Sequence, residues 1–247
     1  MPDYRWNVST NAAGYDEAAH LIHPRYLEVQ DVVLSQLAPL GDADFLVVDA
    51  GGGSGRLMQR ILTNHPQATG IVLDQSEAFL ALAERRLATF GERATCRLAR
   101  LQEDWPSQLP RPPAAVVSMT AIHHLDADEK QTLFQRIFDA LAPGGMFING
   151  DEVRPTSDAD YLNVLQESAR HKHRLMRDGL VPESMHDILS AWEARHVTRF
   201  PEPRVSGDDC HATSAAQLAW FQACGFERTA CVWHEQLWAV MVGVKKA

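Results

Sequence analysis

Five short apolar runs alternate with helix-period segments between residues 45 and 150. The runs are Phe45–Val48, Thr69–Leu73, Ala94–Leu98, Ala114–Ser118 and Met146–Asp151. Between them, Arg56–Asn64, Glu77–Phe90 and Asp128–Leu141 carry apolar residues at helical spacing. Phe79, Leu80, Ala83 and Leu87 share one face of the second segment, which ends at Gly91. Leu133, Phe134, Ile137, Phe138 and Leu141 share a face of the third, which stops at Pro143-Gly144. Strand and helix in strict alternation predict a parallel sheet clothed by helices. Outside this stretch the pattern changes. Tyr15–Leu37 and Thr156–Arg199 read as helical, the latter rich in His, Arg and Met. After a Pro/Gly/Asp loop at Pro201–Asp209, helix Ser214–Cys224 ends at Gly225, and strands Glu227–Glu235 and Leu237–Val244 follow as an antiparallel pair.

The first apolar run ends in Asp49-Ala50-Gly51-Gly52-Gly53-Ser54-Gly55, a glycine-rich turn from strand to helix. Glycines there let the backbone turn sharply and approach a ligand without a Cβ in the way. Dinucleotide sites and plain tight turns share this pattern. The second run ends in Asp74, an acid about 20 residues on, where a ribose hydroxyl is caught in nucleotide sites. The two together point to an adenosine-type ligand. The spacing is not that of a nicotinamide site, because Arg56 stands where the last glycine of G-x-G-x-x-G would fall counting from Gly51. The Lys-Ser/Thr pair of a phosphate-binding P-loop is absent as well.

Taken in order, Val48–Gly55, Asp74-Gln75-Ser76, Val116–Leu125 and Leu141-Ala142-Pro143-Gly144-Gly145 resemble the motifs of class I S-adenosylmethionine (SAM)-dependent methyltransferases. The resemblance implies an α/β fold: a Rossmann-like, seven-stranded, mostly parallel sheet with an antiparallel last strand, helices on both faces and a helical lid insertion. It divides the chain into an N-terminal helical cover (1–44), a SAM-binding core (45–152), a helical lid (153–207) and the closing helix and strands (208–247). It implies SAM as cofactor and S-adenosylhomocysteine as product. Asp49 is then expected to help hold the methionine amino group, Gly51 and Gly53 to bring backbone close to the methionine and ribose, and Asp74 to accept from both ribose hydroxyls. Gln75 would lie over the adenine edge. Arg100 stands where many relatives place an adenine-binding Asp, so the contact falls to the backbone at Arg100-Leu101 or to Glu103 or Asp104. Ser118-Met119-Thr120 would form the fourth strand's end and turn its backbone toward the sulfonium. The chain is also similar to carboxy-SAM synthase through Pro24-Arg25-Tyr26, which implies Tyr26 against the methionine end of the cofactor.

The chemistry at the other strand ends is less defined. His123 is a candidate general base, since imidazole titrates near neutrality, and its neighbour His124 is a candidate for a capping role. Asp151 and Glu152 end the fifth strand, where an acid can orient a substrate amine or hydroxyl or pair with Arg154. His171-Lys172-His173-Arg174 reads as a solvated basic face, because neighbours on a helix point apart. Arg195, Arg199 and Arg204 are candidates for binding a carboxylate, and Trp233 and Trp238 for packing. No metal-ligand spacing is evident, so no metal is expected.

A chain of 247 residues suffices for one well-buried domain with a lid. A net charge of −9 argues against a broad grip on nucleic acid. Cys96, Cys210, Cys224 and Cys231 show no C-x-x-C spacing, and neither a signal peptide nor a membrane-length apolar run is seen, so reduced thiols and a cytoplasmic location are expected. The composition leaves a homodimer open. The expected function is in-line methyl transfer to a small-molecule acceptor, in keeping with a specialised pathway. The alternatives are a carboxy-SAM synthase or other SAM-utilising enzyme, and a non-catalytic SAM-binding protein.

Overall fold

A computed structural model describes residues 4–247; of the cover expected over 1–44, residues 1–3 lie outside the described residues. The strands are β1 (Leu46–Ala50), β2 (Thr69–Asp74), β3 (Ala94–Leu98), β4 (Ala115–Met119), β5 (Met146–Glu152), β6 (Arg228–Glu235) and β7 (Trp238–Val244). They form one sheet in the order β3-β2-β1-β4-β5-β7-β6. β1 to β5 pair in parallel, and β7 runs antiparallel to both β5 and β6. The expected seven-stranded, mostly parallel sheet with an antiparallel last strand is therefore present. The strand order reverses between β1 and β4. In open α/β sheets the ligand crevice forms at this reversal, outside the carboxyl ends of the strands.

Burial explains the apolar runs. β1 and β4 are buried along their whole length, with successive residues feeding opposite layers. Val47, Val117 and Ile148 pack with Val33, Met58 and Ile61 on one side. Val48, Val116 and Phe147 pack with Phe134, Ile137 and Phe221 on the other. The helices between strands are α3 (Arg56–Asn64), α4 (Glu77–Leu87) and α5 (Ala127–Ala140), and α8 (Ser214–Cys224) precedes β6. Ser76 caps α4 through Phe79 N–H, and Asp126 with Glu129 forms a reciprocal capping box on α5.

Two expected spans differ. The N-terminal helical run is two helices, α1 (Ser9–Ile22) and α2 (Tyr26–Leu37). Pro24 breaks it, since proline lacks an N–H and drives the preceding residue to extended geometry, and His23 has φ −115° and ψ 95°. The helix expected to run to Phe90 leaves α geometry after Leu87 and finishes as a tighter turn through Gly91 at φ 56°. The segment after β5 contains α6 (Asp158–Arg177) and α7 (His186–Glu193). Trp6, Ile22, Phe79, Leu175, Met185 and Leu189 form a third apolar cluster, joining α1, α4, α6 and α7 above the sheet. Among the described residues, no helix is long and apolar enough to cross a membrane.

Candidate functional site

A cavity of about 740 Å³ lies over the carboxyl ends of β1, β2, β4 and β5, between the glycine turn and the roof made by α1, α6 and α7. The roof is tied down at both sides. Asp16 of α1 accepts from Ser54 Oγ, from Arg56 Nε at 2.8 Å and from Arg86 at 2.8 Å. Ser76 Oγ donates to Trp6 O at 2.5 Å, and the Trp6 ring packs on Tyr15 and Phe79.

The glycine turn is shaped by what lies behind it. Gly51 has φ 75°, and its N–H donates to Leu73 O at 2.8 Å. A Cβ at Gly51 would stand 2.5 Å from Ala121 Cβ, so no larger residue fits. Gly53 has φ 53° and donates its N–H to Asp74 Oδ2 at 2.9 Å, while Ser76 N–H donates to Asp74 Oδ1 at 2.8 Å. Burial pushes the Asp74 carboxyl up to about 6 against the pull of these backbone donors.

Asp49 is different. Only 1% of it is exposed, yet neither carboxylate oxygen has a hydrogen-bond partner. Burial, followed by the charge of Asp74, pushes its pKa up to about 7. A buried, unpartnered carboxylate on a cavity wall is suited to receive a cationic group. An amino acid ammonium meets that need, so the residues present fit the methionine end of SAM.

Tyr26, Asp49, Gly51, Gly53, Asp74 and Gln75 all border the cavity, as do Arg100, Leu101 and Met119. The wall after β3 is Ala99–Gln102, whereas Glu103 and Asp104 are exposed and away from it. Ser118 is a correction. It is fully buried off the cavity wall, and its Oγ donates to Ala50 O at 2.7 Å, bracing β4 against β1. The other two residues of that segment, Met119 and Thr120, do border the cavity, and Thr120 is a non-glycine residue at φ 53°, a strained geometry that clusters at functional sites.

At the opposite end, His123 and Glu152 reach the cavity but Asp151 does not. Asp151 lies behind His123, accepting from its backbone N–H at 2.9 Å and facing its Nδ1 at 2.6 Å. Burial alone would lower the His123 pKa; the charge and hydrogen bond of Asp151, then Asp209, raise it to about 9. The general base expected at His123 is thus a cation near neutrality. The ion pair considered for Arg154 with Asp151 or Glu152 is also absent, since Arg154 pairs with Asp158. Glu152 sits between His23 Nδ1 at 3.3 Å and His211 Nε2 at 3.0 Å. Burial opposes its ionisation, but the two imidazoles hold it well below the usual carboxylate range.

Several wall residues escaped sequence reasoning. Asp209 borders the cavity from the loop before α8, with Trp192 Nε1–H donating to its Oδ2 at 2.5 Å. Lys172 was expected in solvent, but it is 6% exposed and borders the cavity. Its Nζ donates to Ser168 Oγ at 2.7 Å and stands 3.3 Å from the Trp192 ring centre. Burial pulls its pKa down to about 8. The signal was available: Lys172 shares a helical face with Leu165, Ala169 and Leu175, which is the buried face of α6. The arginines considered for carboxylate binding do not border the cavity: Arg195 is held by Asp208, Arg204 donates to backbone, and Arg199 is exposed. Trp238 is buried in the core, and Trp233 packs against it.

Residues 48–147 match the family model described as a methyltransferase domain. The fold is that of the SAM-dependent methyltransferases. Among solved structures, an O-methyltransferase family protein from Burkholderia thailandensis superposes with a TM-score of 0.62 at 15% identity, over 92% of this chain and 57% of its own. Magnesium protoporphyrin IX methyltransferase from Synechocystis, solved with S-adenosylhomocysteine, gives 0.57 at 18% identity, over 89% and 82%. In sequence, the ribosomal RNA small subunit methyltransferase H of Wolinella succinogenes is 29% identical over 111 residues, 45% of this chain. This chain spans 36% of the length of that relative.

Proposed function

We propose that this protein transfers a methyl group from SAM to a small-molecule acceptor, leaving S-adenosylhomocysteine. The observation that carries this reading is the unpartnered Asp49 carboxylate, set beside the glycine turn and Asp74 at the reversal of strand order. When bound, SAM supplies an electrophilic methyl group on a sulfonium. Asp49 answers its ammonium, Asp74 its ribose hydroxyls, and the backbone of Gly51, Gly53 and Met119 lines its path. Tyr26, Gln75 and the Arg100-Leu101 backbone complete the cofactor wall.

The acceptor reading rests on the far end of the cavity. The volume of the whole cavity, cofactor end included, lies within the range of small-molecule sites, and α1, α6 and α7 lie over it. Displacement at a methyl group depends chiefly on alignment, and orientation supplies up to roughly 7–11 kcal/mol in favourable cases. Glu152 and Lys172 offer an acceptor one anionic and one cationic contact. His123 presents its ring at this end of the cavity, and Asp151 positions it. Net charge of −9 favours a small acceptor over a nucleic acid.

The test is mass spectrometry of small molecules released from freshly purified protein, followed by methyl-labelled SAM with a panel of acceptors. Recovery of SAM or S-adenosylhomocysteine and label transfer supports the proposal. A carboxylated sulfonium redirects it to carboxymethyl chemistry. Cofactor binding with no transfer leaves a SAM-binding protein without this activity, and neither cofactor nor transfer sinks the reading.

A further inference from the structure

We propose that His123, His124 and Asp209 bind a divalent transition-metal cation at the acceptor end of the cavity. No spacing in the sequence announces this group, because it is assembled from two segments far apart in the chain. His123 and His124 sit on the turn after β4, and Asp209 sits on the loop before α8. All three border the cavity, and one ligand atom from each lies within 4.8 Å of the others.

The donor set is two imidazoles and a carboxylate. His124 Nδ1 stands 3.3 Å from Asp209 Oδ1, and His123 Nε2 stands 3.8 Å from the same oxygen. Metal bonds of about 2.0–2.2 Å from such ligands separate neighbouring donor atoms by roughly 3–3.5 Å, so a small adjustment closes the site. Two imidazoles with one carboxylate leave coordination positions open, the arrangement of sites that act on a bound ligand rather than merely brace a fold.

Two of the three ligands, His123 and Asp209, are already oriented from behind. Asp151 engages His123 Nδ1, which leaves Nε2 on the side of Asp209, where the ion takes the place of the Nε2 proton and releases it to solvent; carboxylate support of this kind fixes the orientation of metal-binding imidazoles. Trp192 engages Asp209 Oδ2, which leaves Oδ1 for the two histidines. The two segments are stitched together on both sides of Asp209. Gly207 N–H donates to His124 O at 2.8 Å and Cys210 N–H donates to His123 O at 2.7 Å. Lys130 Nζ adds a further tie between Leu125 O and Cys210 O.

A second observation points to a missing ligand. His124 Nδ1 is buried without a hydrogen-bond partner, and so is Nδ1 of His196, whose Nε2 lies 3.8 Å from Asp209 Oδ2. His211 Nε2 is also without hydrogen-bonding geometry, although Glu152 stands beside it. Leaving several buried polar atoms unsatisfied is costly. A cation on the Asp209 side gives the lone pair of His124 a partner and offsets the surrounding carboxylates. Its open positions face the space assigned to the acceptor, so an oxygen donor such as a hydroxyl or carboxylate is the chemical class it would hold. That last point rests on the methyl-transfer reading; the metal site itself does not.

The experiment is calorimetric titration of chelator-stripped full-length protein with Zn²⁺, Mn²⁺ and Co²⁺ separately, with SAM titrated into the same preparations. The expected result is one ion per chain, and Co²⁺ absorption bands that report imidazole coordination. Asp209→Asn and His124→Ala should each abolish binding, and Asp151→Asn should weaken it by roughly 10–100-fold. His173→Ala, on the outer side of α6, should bind as the wild type does. Should Asp209→Asn fail to fold, His124→Ala decides, because its ring is partly exposed. No ion bound by folded wild type, or binding that survives both ligand substitutions, overturns the site. SAM binding that persists in that case leaves the cofactor reading intact, whereas loss of SAM binding with metal binding retained rejects the cofactor reading alone.

Discussion

Asp49→Asn should make the ligand-free protein more stable and the cofactor complex weaker. Folding raises the Asp49 pKa from 3.8 to about 7 because the carboxyl is buried without a partner. A group raised on folding contributes its full stability below its unfolded pKa and loses it as pH rises through its folded value. Ligand-free stability should therefore fall between about pH 4 and pH 7, by up to about 4 kcal/mol at about 1.36 kcal/mol per pKa unit. Asparagine keeps the shape but cannot ionise. Allowing half for relaxation around the charge, the variant should gain about 2 kcal/mol more over wild type at pH 8 than at pH 4. That corresponds to roughly 4–8 °C in Tm for a chain of this size. SAM should bind roughly 10–150-fold more weakly, the loss of a charge-assisted hydrogen bond of about 1.5–3 kcal/mol. Thermal unfolding at the two pH values without ligand, with calorimetric SAM titration at pH 8, reads both effects. A variant destabilised equally at both pH values, with unchanged SAM affinity, would refute the argument that Asp49 is an unpaired charge awaiting a cation.

Gly51→Ala should cost about 1–3 kcal/mol in urea unfolding and weaken SAM binding, since its Cβ would meet Ala121 at 2.5 Å and φ is positive. Ser118→Ala should cost about 1 kcal/mol for the lost bond to Ala50 O while SAM affinity is unchanged; a large affinity loss would return Ser118 to the cofactor wall. Lys172→Met should raise acceptor KM with little change in SAM affinity. Because folding lowers the Lys172 pKa to about 8, its stabilising contribution is lost as pH falls through that value, so the variant should gain stability at pH 7 and lose the advantage above about pH 10.5. Equal effects on stability at both pH values would contradict a buried, strained ammonium there.

The middle of the sheet was legible because β1 and β4 are buried on both faces, so residues such as Val47-Val48 and Val116-Val117 form continuous apolar runs bounded by polar turns. Asp49 and Asp74 were legible because strand ends and glycine turns mark the crevice directly in sequence. The acceptor end was legible only in part, through His123 and Glu152 at the strand ends. His123, Glu152, Lys172 and Asp209 meet only through tertiary packing of elements up to 86 residues apart, the span from His123 to Asp209. The basic run around Lys172 misled because its composition suggested solvent, whereas the helical face it occupies, with Leu165 and Ala169, is the buried one. Of the segment Ser118-Met119-Thr120, only the last two residues reach the cavity, because Ser118 is still inside β4 and fully buried between its neighbours.

The central claim is that the wall formed by Asp49, the glycine turn and Asp74 holds SAM. Calorimetric titration of SAM into wild type and Asp74→Ala tests it most directly, with circular dichroism to establish that both are folded. One saturable site per chain is expected in the wild type, weakened at least roughly tenfold in the variant. A folded wild type that binds no SAM, or an Asp74→Ala variant that binds it equally well, would contradict it.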